Sequence, residues 1–98
     1  MPLPVVTIGH KFEGICHACG DILVQGEMIT GQPDRCIEHK EICVTGSIGL
    51  GYCGHTCEAI GQSEVWFIEG IPVVRLGDPV TGNIDGKLIE GSDFVNSD

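Results

Sequence analysis

The apolar residues of this chain fall in short runs that glycine and proline interrupt. Between Val65 and Asp78 two such runs meet at a Gly-x-Pro corner, where Gly70 and Pro72 supply the turn residues. A glycine and a proline then flank Asp78, and they end the second run because glycine accepts positive φ and proline cannot pair in a sheet. The pattern predicts a short strand, a corner and a second strand.

This unit recurs along the chain. Leu3-Pro-Val-Val-Thr-Ile-Gly-His10 matches Ile71-Pro-Val-Val-Arg-Leu-Gly-Asp78 position by position, with proline over proline. A weaker third copy is assigned to Gly31-Gln-Pro-Asp-Arg-Cys-Ile-Glu-His39, with its proline at the corner. A shorter phrase of apolar residue, polar residue and glycine occurs at Val24-Gln-Gly26, Val44-Thr-Gly46 and Ile89-Glu-Gly91. The repeats predict about three short β units at irregular spacing.

Composition supports a turn-rich β protein. Fifteen glycines and five prolines in 98 residues favour many turns between short strands. Apolar residues at helical spacing never occur without a glycine or proline among them, so we expect at most one helical turn, near residues 56–60. A chain of this length buries only about 65% of its unfolded surface. We predict a mostly β, single domain over residues 1–98, with loose final residues and no added toxic domain.

The charge balance bears on the choice of partners. Fourteen acidic residues against five basic ones give a formal charge of −9, which repels a phosphate backbone. No nucleic-acid partner is therefore expected. No apolar run approaches the roughly 20 residues of a membrane-spanning helix, and the first residues resemble no signal peptide. We expect a protein that is synthesised in the cytoplasm.

The six cysteines lie in three clusters, each of which brackets a histidine. The clusters are Cys16-His17-Ala-Cys19, Cys36-Ile-Glu-His39-Lys-Glu-Ile-Cys43 and Cys53-Gly-His55-Thr-Cys57. Without a signal peptide, metal ligation is favoured over three disulfides. Zinc takes four nitrogen or sulfur donors, and a small domain gains folding free energy by supplying them. If the three clusters lie in pseudo-equivalent loops that converge on one axis, their histidines meet at one ion. Three of the predicted zinc ligands are therefore His17, His39 and His55.

The fourth predicted ligand is a single cysteine. Cys19 is favoured because Gly26 follows it at a distance of seven positions, as Gly46 follows His39. The remaining alternatives for this position are Cys16, Cys53 and Cys57. Four protein ligands leave no open position for a water molecule, so a zinc ion here is structural and no enzymatic activity is expected.

Two other interpretations of these clusters stay open. His10 is the rival of His17, because the proline frame makes His10 the counterpart of His39. Cys36 and Cys43 stand beside isoleucine and valine residues, and burial as small apolar side chains explains them equally well.

The best-formed copy of the repeat resembles a known family. Phe67-Ile-Glu-Gly-Ile-Pro-Val-Val-Arg-Leu-Gly-Asp78, followed by Pro79 and later by Leu88-Ile-Glu-Gly-Ser92, is similar to the repeat of the proline-alanine-alanine-arginine (PAAR) proteins. The resemblance is strong over residues 63–92 and loose over 3–47. Two valines replace the two alanines, Thr7 stands where the first copy would carry arginine, and Thr81-Gly-Asn83 stands where some members place a ligand.

The resemblance implies both a fold and a function. PAAR proteins form a short cone of β-hairpins with pseudo-threefold symmetry, which holds a metal near its apex through three histidines and one cysteine. Carried over to this chain, those ligands are His17, His39 and His55 with a cysteine of the first cluster, Cys16 or Cys19, and the metal is zinc or, alternatively, iron.

PAAR proteins cap a trimeric β-helical spike in contractile phage tails or type VI secretion machines. By resemblance, this chain is a monomer when alone and binds one copy per trimer, since three similar units match three equivalent subunits. It is located at the virion spike or secreted by a type VI machine, and it contacts the target-cell outer membrane transiently while piercing it.

A free-standing zinc-binding protein-interaction module is the alternative function. Zinc ribbons usually carry pairs of Cys-x-x-Cys, whereas only Cys16 and Cys19 have that spacing in this chain. The sequence therefore favours the spike tip.

Overall fold

The structure of the chain is a computed structural model that describes residues 3–37, 39–92 and 96–97. The strands, in chain order, are β1 (Leu3–Pro4), β2 (Lys11–Cys16), β3 (Ile22–Met28), β4 (Gln32–Ile37), β5 (Lys40–Ile42), β6 (Ile48–Gly51), β7 (Thr56–Ala59), β8 (Phe67–Ile68), β9 (Ile71–Pro72), β10 (Pro79–Gly82), β11 (Ile84–Leu88) and β12 (Asn96–Ser97). One turn of 3-10 helix, His17–Cys19, is the only helical element in these ranges. The prediction of a mostly β protein is confirmed.

Two details bear on the sequence expectations. Thr56–Ala59, in the segment where the sequence allowed a helical turn, is strand β7. The expectation of loose final residues falls largely on residues 93–95 and 98, which lie outside the described ranges. Asn96–Ser97 pair with Leu3–Pro4 as an antiparallel ribbon.

Six strands close into an antiparallel barrel in the order β10, β11, β2, β3, β6, β7. The barrel is built from three hairpins, β2–β3, β6–β7 and β10–β11, and backbone pairing joins each hairpin to the next. The remaining described strands form three two-stranded ribbons, β1–β12, β4–β5 and β8–β9. Along the chain, ribbons and barrel hairpins alternate.

One type of turn precedes each barrel hairpin. Its last residue accepts, through the side chain, a hydrogen bond from the backbone N–H three residues earlier. The three bonds are Thr7 N to His10 Nδ1 at 2.9 Å, Val44 N to Ser47 Oγ at 2.9 Å and Arg75 N to Asp78 Oδ2 at 2.7 Å. The residue before the last is glycine each time, with φ of 90°, 94° and 88° at Gly9, Gly46 and Gly77. Glycine adopts such angles at low cost, so the sequence directs all three turns.

The third copy of the turn lies away from the position assigned from the sequence. That assignment put it at Gly31–His39 with Pro33 at the corner, but Pro33 is inside strand β4. The turn occurs at Val44–Ser47 instead, where a serine hydroxyl takes the place of the histidine and aspartate acceptors. Proline is dispensable in this unit because the glycine and the acceptor side chain make the turn.

A closed ring of backbone hydrogen bonds ties the three turn segments together. Val6 N–H donates to the Val74 carbonyl at 3.0 Å, Val74 N–H to the Cys43 carbonyl at 3.0 Å, and Cys43 N–H to the Val6 carbonyl at 2.9 Å. Each segment therefore donates to one neighbour and accepts from the other.

The ring separates two apolar clusters. Val6, Cys43 and Val74 belong to the barrel cluster, which also contains Phe12, Met28, Val80, Ile84 and Leu88. The residues immediately before them, Val5, Ile42 and Val73, belong to a second cluster with Ile68 and the partly buried Trp66. Side chains alternate in direction along extended backbone, so the ring lies between the barrel core and the ribbon core.

We predict that Gly86→Ala destabilises the fold by about 3 kcal/mol or more, because its added methyl has no room. Gly86 of β11 faces Gly14 of β2, and a Cβ there would overlap the carbonyl oxygen of Glu13. Gly46→Ala is the comparison, since its φ is 94° but no atom lies within 4 Å of the added Cβ. Its loss should be about 1–2 kcal/mol.

Urea unfolding followed by the fluorescence of the single tryptophan, Trp66, measures both losses of stability. Equal losses in the two variants would contradict the close approach of β2 and β11.

Candidate metal centre

Four metal-binding side chains meet at the tips of two barrel hairpins. Cys16 ends strand β2, Cys19 ends the 3-10 turn that follows, and Cys53 and His55 lie between β6 and β7. One ligand atom from each of the four lies within 4.8 Å of the other three. In the described part of the chain, no other group of three or more Cys, His, Asp or Glu side chains meets this spacing.

The donor distances fit one tetrahedral ion. The Nδ1 atom of His55 lies 3.1 Å from Cys19 Sγ and 3.5 Å from Cys16 Sγ, and the Cys53 and Cys16 sulfurs are 3.6 Å apart. Zinc bonds of about 2.3 Å to sulfur and 2.0–2.1 Å to nitrogen place tetrahedral donors roughly 3.5–3.8 Å from one another. The cluster is thus compatible with a single zinc ion, and His55 would bind it through Nδ1.

Local backbone geometry aims these donors at one point. Gly20, with φ 86°, ends the 3-10 turn, so Cys16 and Cys19 face the same side of the first tip. Gly54, with φ 92°, reverses the second tip. There the N–H of Gly51 donates to the His55 carbonyl at 2.8 Å. Both tips therefore depend on glycine at a position of positive φ.

Hydrogen bonds within the cluster, from His55 and between the thiols, shift the pKa values of two of its cysteines. The backbone N–H of His55, together with its ring, lowers the pKa of the Cys53 thiol to about 6. The neighbouring Cys16, followed by burial, raises the pKa of Cys19 to about 12. Cys53 therefore holds the first thiolate, while Cys19 keeps its proton unless a cation replaces it. Metal binding must release such protons, so the affinity of the site for zinc falls in acid.

His17 was predicted as a ligand, but the structure places it beside the cluster. Its Nδ1 lies 2.6 Å from Asp21 Oδ1 and its Nε2 lies 2.8 Å from Asp85 Oδ2. The hydrogen bond to Asp21, followed by that to Asp85, raises the pKa of His17. The same contact lowers the pKa of Asp85. Because Asp85 belongs to β11, His17 fastens the first hairpin tip to the third hairpin.

His39 lies in a different part of the fold. It is an exposed residue with φ 68° in the turn between β4 and β5. Its flanking cysteines are also separate from the metal cluster: Cys36 is exposed, whereas Cys43 is buried in the barrel core and donates to the Thr30 carbonyl at 3.5 Å. Residues 36–43 come before the turn Val44–Ser47 in the chain. By contrast, Cys16 comes after the turn Thr7–His10, and Cys53 comes after the turn Val44–Ser47. The segment 36–43 therefore forms a ribbon and contributes nothing to a barrel tip.

Of the four predicted ligands, His17, His39, His55 and Cys19, the structure brings together only Cys19 and His55. Cys16 and Cys53, two of the alternatives for the fourth position, complete the group. A sequence signal for them exists, because Cys16 follows His10 by six residues and Cys53 follows Ser47 by six. His10, the rival of His17, accepts the turn hydrogen bond, and Cys57 is buried in the barrel core.

We predict that Cys53→Ala and His55→Ala each abolish stoichiometric zinc binding, because each removes one of four donors. His39→Ala is the matched control and should keep one zinc per chain, since His39 lies outside the cluster. Elemental analysis of the purified proteins measures the metal content. Loss of zinc in His39→Ala with retention in Cys53→Ala would favour the ligand set predicted from the sequence.

We also predict that His17→Ala lowers zinc affinity by about 10–100-fold while the site remains, as expected for a residue that orients ligands. Asp85→Asn should act in the same direction through the same contact. Competition with a chromophoric chelator measures the affinity. A complete loss of zinc in His17→Ala, with no loss in Asp85→Asn, would instead indicate that His17 binds the metal directly.

Comparison of the chain with models of protein families, with curated proteins and with solved structures found no match. Nothing helical in the described part of the chain has the length and hydrophobicity of a membrane span.

Proposed function

We propose that this protein is the metal-stabilised pointed tip of a contractile injection machine, capping a trimeric β-helical spike in the manner of PAAR proteins. The observation that carries the proposal is the hydrogen-bonded ring of Val6, Cys43 and Val74. The ring joins three copies of one turn, and each copy donates a hydrogen bond to the next. Such an arrangement is expected around a pseudo-threefold axis within a single chain. A body built around such an axis can cap a homotrimer with one copy.

The overall dimensions support an axial shape. The molecule measures 36 × 25 × 24 Å along its principal axes, so its two short axes are almost equal. The barrel hairpins lie on one side of the ring and the ribbon core on the other. In the proposed cone the hairpin tips form the apex and the ribbons form the base.

The proposed apex is held by two kinds of contact. A structural zinc ion would join the first and second tips through Cys16, Cys19, Cys53 and His55. The third hairpin needs no metal ligand, because His17 contacts Asp85 and its N–H donates to the Asn83 carbonyl at 2.9 Å. A small tip that is cross-linked in this way resists splaying under load.

The donor chemistry supports zinc and a non-enzymatic role. Three thiolates and one imidazole are the donors of structural zinc sites, and soft sulfur ligands favour zinc over the alternative, iron, as a single ion. Four protein donors fill a tetrahedral ion, so no position is open for a substrate or a reactive water. The proposed role is therefore mechanical.

The proposed base offers both apolar side chains and strand edges. Phe67, in ribbon β8–β9, is 48% exposed, and Val65, just before that ribbon, is 68% exposed. The three ribbons are two-stranded, so each has backbone groups on its outer edges that a partner strand can pair with. Three ribbons facing three spike subunits would give a complex with one copy per trimer.

This function assigns the protein a place and a path. It is synthesised in the cytoplasm as a monomer and joins the spike there. It then travels at the tip of a phage-tail baseplate spike or with a type VI secretion machine. Contact with the outer membrane of the target cell is brief, since the tip only pierces it.

We predict that the chain binds one copy per trimer to a truncated β-helical trimer of a contractile-tail spike protein. Light scattering coupled to gel filtration measures the stoichiometry. Phe67→Glu should weaken capping because it places a charge at the proposed base. Leu23→Glu, a change at a 65% exposed residue near the opposite end, should leave capping unchanged.

A chain that holds zinc but binds no spike trimer would contradict the tip and favour the free-standing zinc module. Equal weakening by both glutamate variants would contradict the assignment of the base.

A further inference from the structure

Two thiols of the metal cluster, on different hairpin tips, are in contact with each other. The sulfurs of Cys16 and Cys53 are 3.6 Å apart, and both cysteines are free. A disulfide needs about 2.05 Å between sulfurs, so bond formation requires the two sulfurs to move about 1.5 Å closer. This inference rests on the proposed role of the cluster as the staple of the apex.

The pair connects two hairpins that share no turn. Cys16 is at the end of β2 and Cys53 lies between β6 and β7, while strand β3 pairs with both β2 and β6. A covalent bond between the two sulfurs would thus cross the mouth of the barrel, as the ion would. By contrast, a bond from Cys16 to Cys19 would close only the 3-10 turn within one tip.

We propose that Cys16 and Cys53 form an inter-tip disulfide when the protein meets an oxidant such as hydrogen peroxide, and that this bond replaces the metal as the staple. Cys53 is partly exposed and reacts first: its thiolate attacks the peroxide, takes one oxygen as a sulfenic acid and releases hydroxide. The buried Cys16 thiolate then attacks that sulfur, forms the S–S bond and releases a second hydroxide.

The electron balance of this reaction is complete. Two thiolates lose two electrons, one peroxide gains them, and the two hydroxides take protons from solvent to become water. The bond removes two of the four metal donors, so oxidation releases the ion.

Of the other four cysteines, Cys19 belongs to the same cluster and the remaining three lie outside it. Cys19 Sγ lies 3.1 Å from the ring of His55, the other donor of the second tip. Cys43 and Cys57 are buried in the barrel core, and Cys36 is in ribbon β4–β5. Cysteines are kept reduced in the cytosol and are oxidised outside it. A tip that is assembled in the cytosol would be cross-linked there by the metal. After it is exposed to oxidants outside the cell, the disulfide would cross-link it instead.

The test uses the full chain, first analysed for zinc, then stripped with a chelator under reductant and treated with one equivalent of hydrogen peroxide. The free thiols should fall from six to four, two being consumed. Trypsin should then release one cross-linked pair of peptides, residues 12–35 with 41–75, that reductant separates. Oxidised, metal-free protein should also melt at a higher temperature than reduced, metal-free protein.

Single variants assign the bond. Cys53→Ser and Cys16→Ser should each abolish the cross-linked peptide pair. Cys36→Ser is the matched control at an exposed thiol, and Cys19→Ser tests the third thiol of the cluster; both should keep the pair. Six free thiols after treatment, or a bond confined to residues 12–35, would overturn the inference.

The zinc analysis separates the two proposals. If the protein holds one zinc but forms no disulfide between the tips, the disulfide is contradicted and the proposed metal site stands. If the protein forms the disulfide but never carries zinc, the metal site is contradicted and the disulfide stands.

Discussion

The fold depends on three backbone hydrogen bonds that run head to tail between Val6, Val74 and Cys43. Each bond joins two segments that are far apart in sequence, so the ring closes only when all three segments are in place. The ring also fixes the direction of the neighbouring side chains, sending one residue of each segment into the barrel core and the preceding one into the ribbon core. Placement of the hairpins, and with them the metal ligands, follows from this junction.

At the other end of the barrel, side-chain contacts join the hairpin tips. The four-residue cluster lies between the first two tips, and the pair of His17 with Asp85 lies between the first and the third. The cluster adjoins the barrel core, since Cys16 is buried in that core and Cys19 and Cys53 pack against it. A metal bound there would add folding free energy to a domain whose small core leaves a thin margin of stability.

The sequence predicted the class of fold and the presence of a Cys and His cluster, and it misplaced details for physical reasons. Glycine and proline spacing correctly indicated short strands, because those residues act locally. The third repeat was misplaced since proline was taken as its marker, whereas the turn at Val44–Ser47 is made by glycine and a serine acceptor. His39 lies in the segment that was assigned to that repeat: it was predicted as a zinc ligand, and the structure places it in the exposed turn between β4 and β5, outside the cluster. Which of six similar thiols face one another is decided by strand pairing over long distances. The equal spacing of Cys16 from His10 and of Cys53 from Ser47 becomes a signal only once those two residues are known to end equivalent turns.

Closure of the barrel sets an order of events for folding. Strand β2, near the start of the chain, completes its pairing only with β11, and Phe12 faces Leu88 across that seam. Val6 likewise waits for Val74 to close the ring. A nascent chain therefore keeps the edge of β2 unpaired until β11 has left the ribosome. Such non-local topology folds slowly, on the scale of milliseconds to seconds, and its open strand edges can pair with other chains in the interval.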